Sequence, residues 1–189
     1  MSKFADYAPD ADRPPPFIDA DVVVRSAEAS DVDAMAALFA AREGAPVEAG
    51  RALFAKRLDD VRAGQAFVVV AQVAGRVVGY GKAELLAPPP DAPTGAAPAG
   101  WYLAGVVVDP AHRRRGLGRR LTQARLAWIR ERGAKAYYVA NARNRTTIDL
   151  HRALGFVEMT RDFHMPGVQF EGGVGVLFAC DLSASFPGS

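Results

Sequence analysis

The chain is short of several residue types on which whole classes of function depend. A single cysteine, Cys180, excludes an intramolecular disulfide and any cysteine-cluster metal site. Only three histidines are present, and no stretch of 18 apolar residues occurs anywhere, so no membrane-spanning helix is expected. Residues 1–20 contain no apolar run of signal-peptide length, and the expectation is a cytoplasmic protein. The formal charge is only +2, too small to predict a nucleic-acid binder from composition. The pattern Gly-x-x-x-x-Gly-Lys-(Ser/Thr) of nucleotide hydrolases is missing. What remains is ordinary for a globular domain: 189 residues, half of them apolar and 23% charged, enough for one real core.

Periodicity divides the chain into elements. Residues 1–20, with Pro9, Pro14, Pro15 and Pro16 among acids and alanines, read as a flexible tail. The domain is expected over 21–184, with a short tail at 185–189. A first strand starts at Asp21, and Ser30 offers an N-cap to a helix over 34–42 whose apolar face uses Met35, Leu38 and Phe39. A second helix runs over 47–63, with Leu53, Phe54, Leu58 and Val61 at helical spacing. The period then changes: 66–73 and 76–85 read as a hairpin about Ala74-Gly75. The Pro/Gly/Ala-rich stretch 87–100 reads as a long surface loop.

Trp101 to Val108 is apolar without alternation, so this strand is expected to be central and buried on both faces. The helix after Gly116 places Leu117, Leu121, Ala124 and Trp128 on one side and arginines on the other, and ends at Gly133. A strand at 137–140, a helix over 144–154 closed by Gly155, and strands at 157–163 and 174–182 complete an α/β order with a mixed sheet.

Local charge is concentrated where total charge is not. Residues 103–120 read LAGVVVDPAHRRRGLGRR, a buried strand turning into a helix start. The first N–H groups of a helix lack internal partners and sit at the positive end of its dipole, which suits a phosphate. Gly116 and Gly118 allow close approach to the main chain, and Arg113, Arg114, Arg115, Arg119 and Arg120 surround the same point. The stretch is suited to a polyanionic small molecule.

Arg113-x-x-Gly116-x-Gly118 after Val106-Val107-Val108-Asp109-Pro110 resembles the acyl-CoA pyrophosphate loop of the GNAT superfamily of N-acetyltransferases. Asn144 followed by a short helix and Gly155-Phe156 resembles that family's second hallmark, in the right order and separation. The likeness covers roughly residues 21–182. It implies an acyl-CoA N-acyltransferase fold, a mixed sheet of about seven strands with about four helices. It also implies acetyl transfer from acetyl-CoA to a primary amine of a small molecule or peptide by direct attack, without a metal.

The resemblance implies site residues one by one. Backbone amides from Arg114 through Leu117 to Gly118, with Arg113, Arg115 and Arg119, would hold the pyrophosphate. A backbone N–H within Val106, Val107 and Val108, Val107 first among them, would polarise the thioester carbonyl while the pantetheine arm pairs along the strand. Asn144 would cap its helix and reach the cofactor; Thr147 and His151 share its face at i, i+3 and i+7.

Two departures stand out. Family members commonly carry Tyr seven residues after that Asn, as general acid; here it is His151. A histidine of ordinary pKa about 6.5 is mostly neutral at pH 7, so its role is either a proton donor or a structural ring, with Tyr137 and Tyr138 as backups. No carboxylate lies on the Trp101–Gly105 strand where some members keep a Glu, which leaves Glu84 or a water chain as general base. Candidate walls for the acceptor are the 42–50 connection (Arg42, Glu43, Pro46), the 87–100 loop and the 163–173 turn, with Glu43, Asp162 and Glu171 able to attract a cationic amine. The alternative to an enzyme is a catalytically inactive acyl-CoA-binding sensor. Neither nucleic acid nor membrane is expected as a partner, and a homodimer through the last strands is compatible with the pattern.

Overall fold

The hairpin turn shows how local preference builds the sheet. Ala74 and Gly75 both have positive φ (48° and 75°), the pair of left-handed residues that matches the twist of a two-residue hairpin. They join β2 (Ala66–Val73) to β3 (Arg76–Leu86). In the computed structural model, which describes residues 22–165, 167–170 and 173–183, the chain forms seven strands and four α-helices. The remaining elements are β1 (Val22–Ser26), α1 (Val32–Glu43), α2 (Val47–Arg62), β4 (Gly100–Val108), α3 (Leu117–Arg130), β5 (Lys135–Asn141), α4 (Arg145–Arg152), β6 (Val157–Thr160) and β7 (Gly175–Asp181). The sheet order is β1-β2-β3-β4-β5-β7-β6. β4 and β5 run parallel; the β1–β2, β2–β3, β5–β7 and β6–β7 pairs are antiparallel. The mixed seven-stranded sheet expected from sequence is the one found. The expected tails at 1–20 and 185–189, together with Asp21, Pro166, Glu171 and Gly172, lie outside the described residues.

The chain divides into two compact units, the division passing through β4 and α3. Among the described residues, the first holds Val22–Glu84 together with Ala104–Arg125. Its core is Met35 and Phe54 from the two helices, Val68 and Val70 from β2, Tyr80 from β3 and Val107 from β4. Burying each such side chain contributes roughly 1.5–3 kcal/mol. The helices approach closely because α2 carries Gly50 where a Cβ would stand 2.8 Å from the Ala36 Cα. The other face of β3 is equally tight: a Cβ on Gly79 would meet the Val107 carbonyl at 2.9 Å, and one on Gly81 would meet Arg125 Nε at 2.9 Å.

The second unit comprises Leu85–Leu103 and the described residues from Leu126 to Ser183. Trp101 and Trp128 meet edge to face at 4.8 Å, and Tyr102 stacks on Tyr137 at 5.1 Å. Tyr102, Ala97 and Leu177 form its buried cluster.

Five expectations are corrected. Ser30 does not cap α1: a short 3-10 turn at Ala29–Asp31 precedes the helix, and the Glu28 N–H donates to Asp31 Oδ2 at 2.8 Å, while Arg25 holds the same carboxylate. The 87–100 segment is not wholly a surface loop, because the Ala97 N–H bonds the His164 carbonyl at 2.8 Å and Ala97 is buried. β4 is buried on both faces only as far as Leu103; Gly105 takes φ +49°, which breaks the pleat and leaves it exposed. β6 stops at Thr160 rather than continuing to 163, where the Thr160 and Asp162 backbones turn through the Thr160 hydroxyl. The arginines of α3 are not all on the solvent side, since Arg125 is 1% exposed.

Candidate active site

In the first unit, β4 ends at Val108 and the chain is pinned at once. The Asp109 N–H donates to Val78 O at 2.8 Å, and Asp109 Oδ1 accepts from the Ala111 N–H at 2.9 Å. This Asx-type contact starts a 3-10 turn at Pro110–His112. Arg113 Nε donates back to the Val108 carbonyl at 3.1 Å. Arg114 (φ 65°) and Gly116 (φ 82°) are both left-handed, and α3 begins at Leu117. Alternating backbone hands of this kind turn successive N–H groups toward one side, forming an anion-sized concavity. Nothing lies within 4 Å of where a Gly116 Cβ would stand, so the space over the loop is open. Leu117 and Leu121, both buried, fix the helix start from below, and Thr122 Oγ1 donates to the Gly118 carbonyl at 2.8 Å. Arg113 and Arg119 are exposed, while Arg114, Arg115 and Arg120 are half-buried.

The β4 valines serve two purposes. The Val107 side chain belongs to the core. The Val106 carbonyl accepts from Arg42 Nη1 at 3.3 Å, and the ladder with β5 is confined to Trp101–Leu103. Arg42, named from sequence as an acceptor wall, thus reaches from α1 to β4; its Nε also pairs with Glu43 at 3.1 Å.

Glu84 does not stand alone. Arg57 Nη2 and Lys82 Nζ both approach its Oε1, at 3.1 and 3.4 Å. Burial holds the Lys82 ammonium below the ordinary lysine range, and the Arg57 and Arg42 charges push the same way, while Glu84 opposes them. Tyr80, two residues earlier on the same face, has its phenol pushed up to about 12 by burial. Sequence reading missed Lys82 and Arg57. Lys82 and Glu84 alternate on one face of a strand, which was a usable signal, but Arg57 comes from a helix with no local mark.

In the second unit, the Asn144 side chain accepts the Thr147 N–H at 3.4 Å, the cap expected of an Asn before a helix. Thr147 and His151 do share a face, and that face lies against β5. The Tyr138 hydroxyl is 2.7 Å from Thr147 Oγ1, and the His151 ring lies parallel to the Tyr138 ring at 3.7 Å. His151 Nδ1 is 2.7 Å from the Thr147 carbonyl, an acceptor, so this nitrogen carries the proton. His151 is 3% exposed, with Phe156 at its edge. Asp162 sits in the turn after β6, and Tyr137 stacks on Tyr102.

Among the described residues, no group of three or more His, Cys, Asp or Glu side chains is placed to hold a metal ion. No described helix is long and apolar enough to cross a membrane.

Comparison with known proteins bears on the fold and the family. The chain is similar in structure to ribosomal-protein-alanine N-acetyltransferase from Brucella melitensis, at 23% identity and TM-score 0.64 over 84% of this chain and 99% of that one. It is also similar to the ribosomal-protein-S18-alanine N-acetyltransferase of Escherichia coli (19% identity, TM-score 0.60, 87% and 96% covered). A GNAT superfamily phosphinothricin acetyltransferase from Sinorhizobium meliloti, solved in complex with AcCoA, gives TM-score 0.65 at 17% identity over 85% and 88%. At these identities the likeness establishes the fold. No curated protein matches the sequence. The family model described as the acetyltransferase (GNAT) family matches residues 32–156, from the start of α1 through Phe156 and so across both hallmark segments, and the chain belongs to that family.

Proposed function

We propose that this protein transfers an acetyl group from acetyl-CoA to a primary amine of a small molecule or peptide, by direct attack within a ternary complex. The observation that carries the reading is the strand-to-helix loop: left-handed Arg114 and Gly116, open space above Gly116 and the start of α3, ringed by arginines. Backbone amides of Arg114, Arg115, Gly116, Leu117 and Gly118 hold the pyrophosphate, with Arg113 and Arg119 supplying charge. Acetyl-CoA supplies an activated acyl carbon and a thiolate leaving group. The Val106, Val107 and Val108 backbone lines the acyl arm, Val107 N–H polarising the carbonyl. We also assign Asn144 and Thr147 to cofactor binding, and His151 to protonation of the leaving sulfur, directly or through water. Glu84 belongs to the machinery that removes the acceptor's proton. We place this reaction in the cytoplasm. A homodimer through the last strands, where β6 leaves Val157 and Met159 exposed, belongs to the same proposal and is checked by light scattering.

A second reading is favoured by one observation. His151 is buried with its Nδ1 proton given to a backbone carbonyl, an arrangement that serves packing as well as catalysis. On that reading the protein binds acyl-CoA and acts as a sensor.

Calorimetric titration of acetyl-CoA into the wild type and into Gly118→Phe tests the loop. One-to-one binding abolished by the substitution is expected; a wild type that does not bind at low salt refutes acetyl transfer. Thiol release with a panel of amines then separates enzyme from sensor.

A further inference from the structure

The loop accounts for how an acyl donor is held, but not for how an amine that is an ammonium ion at neutral pH becomes a nucleophile. The first unit contains a side chain suited to that task. On β3, Tyr80, Lys82 and Glu84 alternate onto the face covered by α1 and α2: Tyr80 packs edge to face on Phe54 at 4.9 Å, and Glu84 meets Arg57 of α2. The backbone of Lys82 is held from both sides, paired with Val68 of β2 and taking Arg125 Nη1 on its carbonyl at 2.9 Å. Its side chain runs toward β4 at the one place where that strand is exposed. A Cβ built on Gly105 would lie 3.5 Å from Lys82 Cε, which is ordinary contact distance. The Lys82 side chain is 17% exposed, so it is mostly removed from water yet still reachable.

We propose that Lys82 is the general base that removes the proton from the acceptor amine, with Glu84 holding the lysine's conjugate acid and Arg57 fixing Glu84. The assignment rests on the acetyl-transfer reading above. Glu84 is the holder rather than the acceptor of the proton because its Oε1 already receives two cations. Lys82, by contrast, can be neutral. Desolvation disfavours its charge, Arg57 and Arg42 repel it, and Glu84 pulls the other way. The other charged groups facing it are themselves paired: Arg42 with Glu43, and Arg57 with Asp60. Tyr80 on the same strand stays protonated throughout the working range. β4 contributes no ionisable group at Gly105, and Arg125 of α3 bonds Lys82 only through its carbonyl.

The proton count closes. The acceptor R–NH3+ gives one proton to neutral Lys82, and the freed lone pair forms the C–N bond to the acyl carbon of the thioester as the C–S bond breaks. The second proton leaves the new amide nitrogen and is matched by protonation of the departing thiolate. Lys82 returns its proton to solvent. The proton affinity of a lysine amine is close to that of another aliphatic amine, so transfer between them is nearly balanced. Lowering the Lys82 pKa raises the fraction of enzyme ready to act at neutral pH.

The chain has four lysines, Lys3, Lys56, Lys82 and Lys135, so each 13Cε resonance of lysine-labelled protein can be assigned by single substitution and titrated without any substrate. Lys82 is expected to titrate below the other three, and Glu84→Gln to lower it further. Lys82→Met is expected to bind acetyl-CoA with wild-type affinity while kcat/KM for an accepted amine at pH 7 falls on the order of 10²-fold or more. Lys82→Arg, folded and permanently charged, does not restore the rate. In the wild type, the alkaline rise of kcat/KM follows the Lys82 midpoint, and in Glu84→Gln it moves to lower pH with it. A Lys82 resonance that titrates with the others near 10.4, or a Lys82→Met enzyme with wild-type kcat/KM, overturns the assignment. Failure of the wild type to bind acetyl-CoA refutes the acetyl-transfer reading, and the base assignment with it; normal binding with unchanged Lys82→Met kinetics refutes the base assignment alone.

Discussion

Replacing Gly116 by alanine separates what the loop does for the fold from what it does for a ligand. Gly116 has φ +82°, a conformation that costs an L-residue roughly 1–2 kcal/mol. No atom lies within 4 Å of the added methyl, so that strain is the whole cost to the free protein. Gly95 is a matched control: its φ is +85°, its Cβ position is equally open, and it lies in the 87–100 segment. The two alanine variants are therefore expected to lose about the same stability in urea. The strain is present with and without ligand, so it cancels in a binding difference. What does not cancel is the methyl projecting into the space assigned to the pyrophosphate. Losing one backbone hydrogen bond to a charged group costs about 1.5–3 kcal/mol, which is about tenfold to 140-fold in Kd. Calorimetry with acetyl-CoA should show that loss for Gly116→Ala and wild-type affinity for Gly95→Ala. Equal stability losses with unchanged affinity in both variants would show that Gly116 only makes the turn.

Other consequences can be checked independently. His151→Ala is expected to lower kcat on the order of 10²-fold; a variant that keeps the wild-type kcat removes the proton-donor role. Hydrogen bonding from Arg25 holds the buried Asp31 carboxyl below its ordinary range, so its contribution is complete above the unfolded value near 3.9 and is lost as pH falls through the lower folded value. Asp31→Asn should therefore be less stable at neutral pH by about 1.5–3 kcal/mol and lose less on acidification; parallel acid profiles would refute the pairing. Burial pushes the Cys180 thiol up, so native protein should react with an aromatic disulfide reagent only as fast as it unfolds. Rapid stoichiometric labelling in native buffer would contradict its burial; slow labelling also leaves the thiol-release assay nearly free of background.

Several features were readable in the chain because they depend on neighbours in sequence. The Ala74-Gly75 turn, the Asn144 cap and the loop into α3 each follow from the φ/ψ preferences of a few adjacent residues, and the hallmark spacing rides on them. The features that escaped are set by partners far along the chain. Arg125 is buried because Gly81, 44 positions earlier, leaves room for its guanidinium and because Leu121, Lys82 and Thr122 accept its hydrogen bonds. Ala97 is pinned by His164, and Glu84 is tied to Arg57. No period or motif marks such pairs.

The sequence by itself determined the element order, the mixed sheet, the position of the arginine-rich loop and the family, since hydrophobic period and short-range backbone preference are local properties. Only the tertiary structure decided which ionisable groups meet. It brought Arg57 to Glu84 and Lys82 over Gly105, and it enclosed His151 against Tyr138 with its Nδ1 proton on a carbonyl. Burial and charge proximity control proton affinity, and both exist only once the strands and helices have packed.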